Sequence, residues 1–169
     1  MTREQMLLVL LFAGLLLIGL LIAWLRAMRP DGEDARIPYE RPDFRDRAGF
    51  AVRDIPGDEI VELQGCYLSH RNTVGELEFR IEPGWKAVLR VAQAANSLHL
   101  EELDGPYDEN HVVYLDGVRV LVRSSPGGLF LGSWTRGDFR YALYCEEGEM
   151  GMTGGLIDDF VREMDAAAG

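Results

Sequence analysis

The residues of this 169-residue chain with chemistry to offer are two cysteines, three histidines and a scatter of acids and serines. Cys66 and Cys145 stand too far apart in sequence for a CxxC redox pair or half of a zinc site. Two readings of them stay open. In an oxidising compartment, one Cys66–Cys145 disulfide closes a long loop and stabilises the fold by about 2–4 kcal/mol; in a reducing one, both are small buried hydrophobes. His70, His99 and His111 fall at strand ends and in a loop, with no second histidine at ligand spacing. His99 with Glu101 and Glu102 is the nearest approach to a metal set. Asp104, Asp108, Glu109 and Asn110 look calcium-like but lack the ordered spacing and closing Glu of an EF-hand loop. Both groups read as solvated acidic loops. Ser124, Ser125 and Ser133 have no Gly-x-Ser-x-Gly setting, and no phosphate-cradling GxxxxGK[ST] occurs. The reading is therefore no enzyme, no cofactor and no metal site. Trp85 and Trp134 read as core residues with one alternative, the lining of a cleft between sheet and helix.

These residues follow a segment of a different kind. Met6 to Leu25 runs MLLVLLFAGLLLIGLLIAWL without one charge. A helix that long crosses the roughly 30 Å of a bilayer's hydrocarbon core. A cleaved signal peptide has a shorter apolar region and a small-x-small cleavage site. Here the run ends in Trp24, Arg26 and Arg29, which suit an interfacial anchor. The expected organisation is a short tail (1–5), a transmembrane helix (6–25), a linker (26–41) with its most exposed part at 30–37, and one domain (42–169). Orientation has two opposed signals. Arg26, Arg29, Arg36, Arg41, Arg45 and Arg47 outnumber Arg3, which puts the domain in the cytoplasm by the positive-inside rule. A five-residue tail is an uncommon thing to translocate, and the later arginines are interleaved with acids.

The domain is acidic. The chain carries 28 Asp and Glu against 17 Lys and Arg, a net charge of -11. That excludes a nucleic-acid partner, which needs a basic face, and argues against docking on anionic headgroups. Lys86 is the only lysine.

The elements that position these residues have a period of two almost throughout. Leu77, Phe79 and Ile81 alternate with Glu76, Glu78 and Arg80, the pattern of a half-buried strand. Glu82-Pro83-Gly84 turns the chain into a strand from Trp85 to Ala92. Asp116-Gly117, between Val112–Leu115 and Val118–Val122, is the preferred two-residue hairpin turn. Further strands are expected over Leu129–Thr135, Phe139–Cys145 and Glu59–His70, the last with a bulge near Gly65. Asp43–Ala48 suggests a short helix. Glu146 to Gly155 reads as an acidic, glycine-rich connector or a lip over the sheet. Leu156, Ile157, Phe160, Val161 and Met164 then make one stripe of a closing amphipathic helix, with Asp158 and Asp159 in its first turn. The expected fold is α+β: a curved meander of about seven antiparallel strands packed by a C-terminal helix.

The order Ala48-Gly49-Phe50-Ala51-Val52, the strand pair Leu77–Ile81 and Lys86–Ala92, the loop Leu103-Asp104-Gly105-Pro106-Tyr107, and the hairpin Trp134 … Tyr141-Ala142-Leu143 before a terminal helix resembles an uncharacterised bacterial family. Its members are single-pass membrane proteins with an extracytoplasmic domain of unknown function. The layout is distantly similar to periplasmic regulators of anti-sigma factors. The loop departs from the family pattern in having Asp104 at a small hydroxyl position, and the two cysteines are not part of that pattern. The resemblance implies an extracytoplasmic, non-catalytic binding or sensing module at the cell membrane. It would be held there by the bilayer around residues 6–25, with an unknown protein or a small apolar molecule as ligand. The competing reading is a structural or assembly subunit of a membrane complex. A hydrolytic enzyme is a remote third, because no nucleophile–base pair is visible.

Overall fold

The computed structural model describes residues 35–56, 61–82, 84–100, 107–126, 128–146 and 150–169. The elements are β1 (Ile37–Tyr39), β2 (Phe50–Arg53), β3 (Val61–Ser69), β4 (Val74–Ile81), β5 (Trp85–Gln93), a 3-10 turn (Ala94–Asn96), β6 (Glu109–Leu115), β7 (Val118–Ser124), β8 (Phe130–Arg136), β9 (Phe139–Glu146), α1 (Met150–Glu163) and β10 (Asp165–Ala168). The period-two segments are strands, as alternation requires. Asp116 and Gly117 take φ of 52° and 80°, the pair of positive values a type I′ turn needs. The register of β3 on β4 shifts between Leu63 and Gly65, where the change of parity in the sequence asks for a bulge.

Eight strands form one antiparallel sheet in the order β1-β3-β4-β5-β9-β8-β7-β6. This corrects the expectation of about seven strands in one meander. Two meanders, β3-β4-β5 and β6-β7-β8-β9, meet where β5 pairs with β9, Leu89 opposite Leu143. The connection from β5 therefore crosses the sheet to its far edge. β1 lies within the stretch read as linker 26–41, and it joins the sheet with Ile37 opposite Leu68. A second ribbon pairs β10 with β2, Ala166 opposite Val52. Asp43–Ala48 is not a helix: the Phe44 carbonyl accepts from the Arg47 and Ala48 amides in a single turn. Met150–Gly155, read as connector, is the start of α1, so Asp158 lies well inside the helix, where it pairs with Arg162 one turn on. Among the described residues no helix is long and apolar enough to cross a membrane; the span read at 6–25 lies outside the described residues.

One face of the sheet carries the main core. Leu77 and Phe79 of β4, Leu89 and Val91 of β5, and Tyr141, Leu143 and Cys145 of β9 pack under the helical stripe Leu156, Ile157, Phe160, Val161 and Met164. All five residues, four in α1 and Met164 just past its end, are buried, each contributing about 1.5–3 kcal/mol of hydrophobic burial. Phe160 meets Phe79 edge-on at 5.1 Å between ring centroids. Gly132 of β8 lets the helix approach closely, because a Cβ there would overlap Ile157 Cδ1. The Arg136 guanidinium donates to the carbonyls of Val161, Arg162 and Met164 at 3.0, 3.0 and 3.2 Å. It thereby caps orphan acceptors at the helix end. Trp134 stacks on Tyr141 at 5.2 Å. Burial pushes the Tyr141 hydroxyl pKa up to about 12.

Gly132→Ala therefore forces the Ile157 side chain out of its place against β8. It should destabilise the domain by about 1–3 kcal/mol, the usual cost of overpacking, read as a lowered midpoint in chemical denaturation. An unchanged midpoint would mean that Ile157 is not held tightly against Gly132.

A groove on the sheet face opposite the helix

Cys66 and Cys145 are both buried and no disulfide joins them, so the bridge weighed from the sequence is not formed. The reason is topological. Cys66 pairs with Leu77 on β4, while Cys145 on β9 pairs with Ala87 on β5, so β4 and β5 separate β3 from β9. Three interstrand spacings amount to about 14 Å, twice the reach of a disulfide. Burial pushes the Cys66 thiol pKa up, which makes it a poor nucleophile. Trp134 is buried in the core on Tyr141, and Trp85 is half-buried at the start of β5 against the same core. Among the described residues no group of three or more His, Cys, Asp or Glu could hold a metal ion. Glu101, Glu102 and Asp104, named above in the metal and calcium readings, lie outside the described residues.

The face opposite α1 is where polar side chains gather. Alternation within the strands puts the residues between the core positions on it. The crossover after β5 lies here, with Leu100 buried against Val74, Ala92, Leu131 and Ala142, and with Tyr107 and Tyr144 beside them. Its start is pinned by the Ala94 amide, which donates to the Asp138 carbonyl at 2.8 Å. Arg90 Nη1 donates to the His99 carbonyl and Arg140 Nη1 to Ser97 Oγ, each at 3.3 Å.

To one side of the crossover, over β3 and β4, lies a charge cluster. Glu76 is buried, with Arg36 at 3.6 Å and Arg90 at 3.8 Å. Arg36 also donates to Glu78 at 2.7 Å, and its guanidinium sits 3.9 Å over the Tyr67 ring. The neighbouring β3–β4 turn holds three consecutive non-glycine residues at positive φ: His70 at 48°, Arg71 at 57° and Asn72 at 65°. Such a left-handed turn costs on the order of 1–2 kcal/mol per residue. The Thr73 hydroxyl and amide, both donating to the His70 carbonyl, help to hold it. His70 stacks on His99 at 5.2 Å, so two histidines that the sequence scatters are neighbours in space. No periodic signal marks this turn.

To the other side, over β6 to β9, runs a groove. One part, a cavity of about 460 Å³, is lined by Tyr107, Asn110, Leu121 and Arg123. The other, of about 260 Å³, is lined by Arg119, Leu121, Ser133, Trp134, Thr135 and Arg140. Leu121 is common to both. Thr135 is the partner of Arg140, Ser133 the partner of Leu121, and Leu131 the partner of Arg123, so three strands lay guanidinium and hydroxyl groups side by side. No motif in the sequence marks these arginines. Their signal is the alternation Arg119, Leu121, Arg123 against Val118, Val120 and Val122, which becomes a site only once the strand order is known.

No family model, no curated protein and no solved structure matches this chain.

Glu76 is the carboxylate on which the charge cluster closes. Glu76→Gln leaves the nearly buried Arg90 facing a neutral amide and should cost about 1–3 kcal/mol. Arg36→Gln removes a partly exposed partner and should cost less than about 1 kcal/mol. Equal losses in thermal denaturation would contradict this assignment.

Proposed function

We propose that the chain is a single-pass membrane protein whose domain is a non-catalytic binding module, anchored through residues 6–25 and facing the extracytoplasmic side. Its ligand is a carboxylate-bearing segment of a partner protein, held in the groove over β7 to β9. The observation that carries this reading is the collection of Arg119, Arg123 and Arg140 along one groove of a chain with a net charge of -11. Guanidinium groups recognise carboxylates through paired, charge-assisted hydrogen bonds, and the hydroxyls of Ser133 and Thr135 supply further donors. The small apolar ligand considered from sequence is less well served by this lining. Trp134, read as a core residue with a cleft lining as the alternative, has its ring packed in the core on Tyr141. The anchor and the outward orientation rest on the apolar run and on the family resemblance.

The assembly reading has one observation in its favour: β6 is the last strand of the sheet, and among the described residues no strand pairs with its outer edge.

The test uses the full chain in detergent micelles with a glutamate-rich and a lysine-rich peptide of equal length. The acidic peptide should raise the thermal midpoint by mass action, the basic one should not, and added salt should weaken the effect. Arg119→Glu should weaken acidic-peptide binding at least about tenfold, the worth of one charge-assisted bond. Equal responses to the two peptides, or binding indifferent to Arg119→Glu, would overturn the proposal.

A further inference from the structure

The two edges of the main sheet are built differently. β1 is three residues long and has Pro38 at its centre, which has no amide hydrogen to offer. Shortness and proline are the usual protections of an edge. β6 has seven residues, no proline and, among the described residues, no strand on its outer side. Val112 and Tyr114 of β6 are 41% and 70% exposed, two of the three large apolar side chains so placed among the described residues.

The hairpin geometry says which backbone groups of β6 point outward. A two-residue turn closes on a hydrogen-bonded pair, here Leu115 and Val118. Hydrogen-bonded and non-bonded pairs then alternate, so Val113 and His111 also bond inward to β7. The outward amides and carbonyls belong to Asn110, Val112 and Tyr114, whose side chains lie on the groove face. Asn110 itself lines the groove.

We infer that a second copy of this chain pairs with β6 in antiparallel register about Val112, and that its Tyr114 closes the open side of the groove beside Asn110. In this register Val112 faces Val112 and Tyr114 faces Asn110 of the other copy, so every outward backbone group of the three residues finds a partner. A shift of one residue opposes outward groups to inward ones. A shift of two leaves either Asn110 or Tyr114 outside the ladder. A parallel pairing sets Glu109 beside Glu109, whereas the antiparallel one sets Glu109 opposite Leu115. The pairing is isologous and closes as a dimer, because the opposite edge is blocked by Pro38. It holds whichever ligand occupies the groove.

The experiment is oxidative cross-linking and light scattering of the full chain in micelles at micromolar concentration. Val112→Cys places a thiol on the two-fold axis and should cross-link efficiently to its own copy. Val113→Cys, one residue on and on the other face, should not. The native Cys66 and Cys145 are buried and serve as the background. Val112→Pro removes only an outward amide, which an edge strand tolerates, and should give a folded monomer. Equal cross-linking at the two positions, a monomeric parent chain, or a dimer that survives Val112→Pro would each overturn the inference.

Discussion

The pairing of β5 with β9 is the constraint on which the rest of the domain depends. Each of the two meanders is local and simple. Their junction is not, because β5 accepts the last strand of the second meander rather than its first. From Lys86 opposite Glu146 to Gln93 opposite Phe139, this ladder welds the two halves at the middle of the sheet. Its consequences are geometric. β6 is carried to the far edge, and the chain between β5 and β6 has to cross one face. That crossing takes Leu100 onto Val74, Ala92, Leu131 and Ala142, giving the second face a small core of its own.

The two faces are thereby given different physics. The face under α1 is apolar and closely packed, down to a glycine where Ile157 needs the room of a side chain. Polar groups there serve structure, as when Arg136 satisfies the carbonyls at the end of the helix. The opposite face is divided by the crossover. On one side, Glu76 between Arg36 and Arg90 neutralises charge within the domain. On the other, arginines and hydroxyls line open space in an otherwise acidic molecule. The proposed function rests on that lining.

Local structure was legible in the sequence to the extent that it is periodic. The seven strands, the Asp116-Gly117 turn, the bulge by Gly65 and the buried stripe of α1 all follow from patterns of two and 3.6. What was not legible was decided by contacts distant in sequence. β1, a three-residue strand with a proline at its centre, has no pattern to read and exists because β3 offers it an edge. β10 is an aspartate and three alanines, a strand only because β2 is beside it. The helical start at Met150 contradicts the glycines of that segment, whose low helix propensity is overridden by the packing that follows. The disulfide reading failed for the same reason as the single meander: both needed the strand order, and hairpin signals do not carry it. The groove shares that dependence, since Arg119 and Arg140 become neighbours only through β8.

Cross-strand proton contacts, measured by nuclear Overhauser spectroscopy on the full chain in micelles, test the β5–β9 junction directly. The fold described here requires contacts between Leu89 and Leu143 and between Val91 and Tyr141, and none between β5 and β6. Contacts of β5 with β6, as in a single continuous meander, would contradict it. They would remove the crossover, the free edge and the groove together.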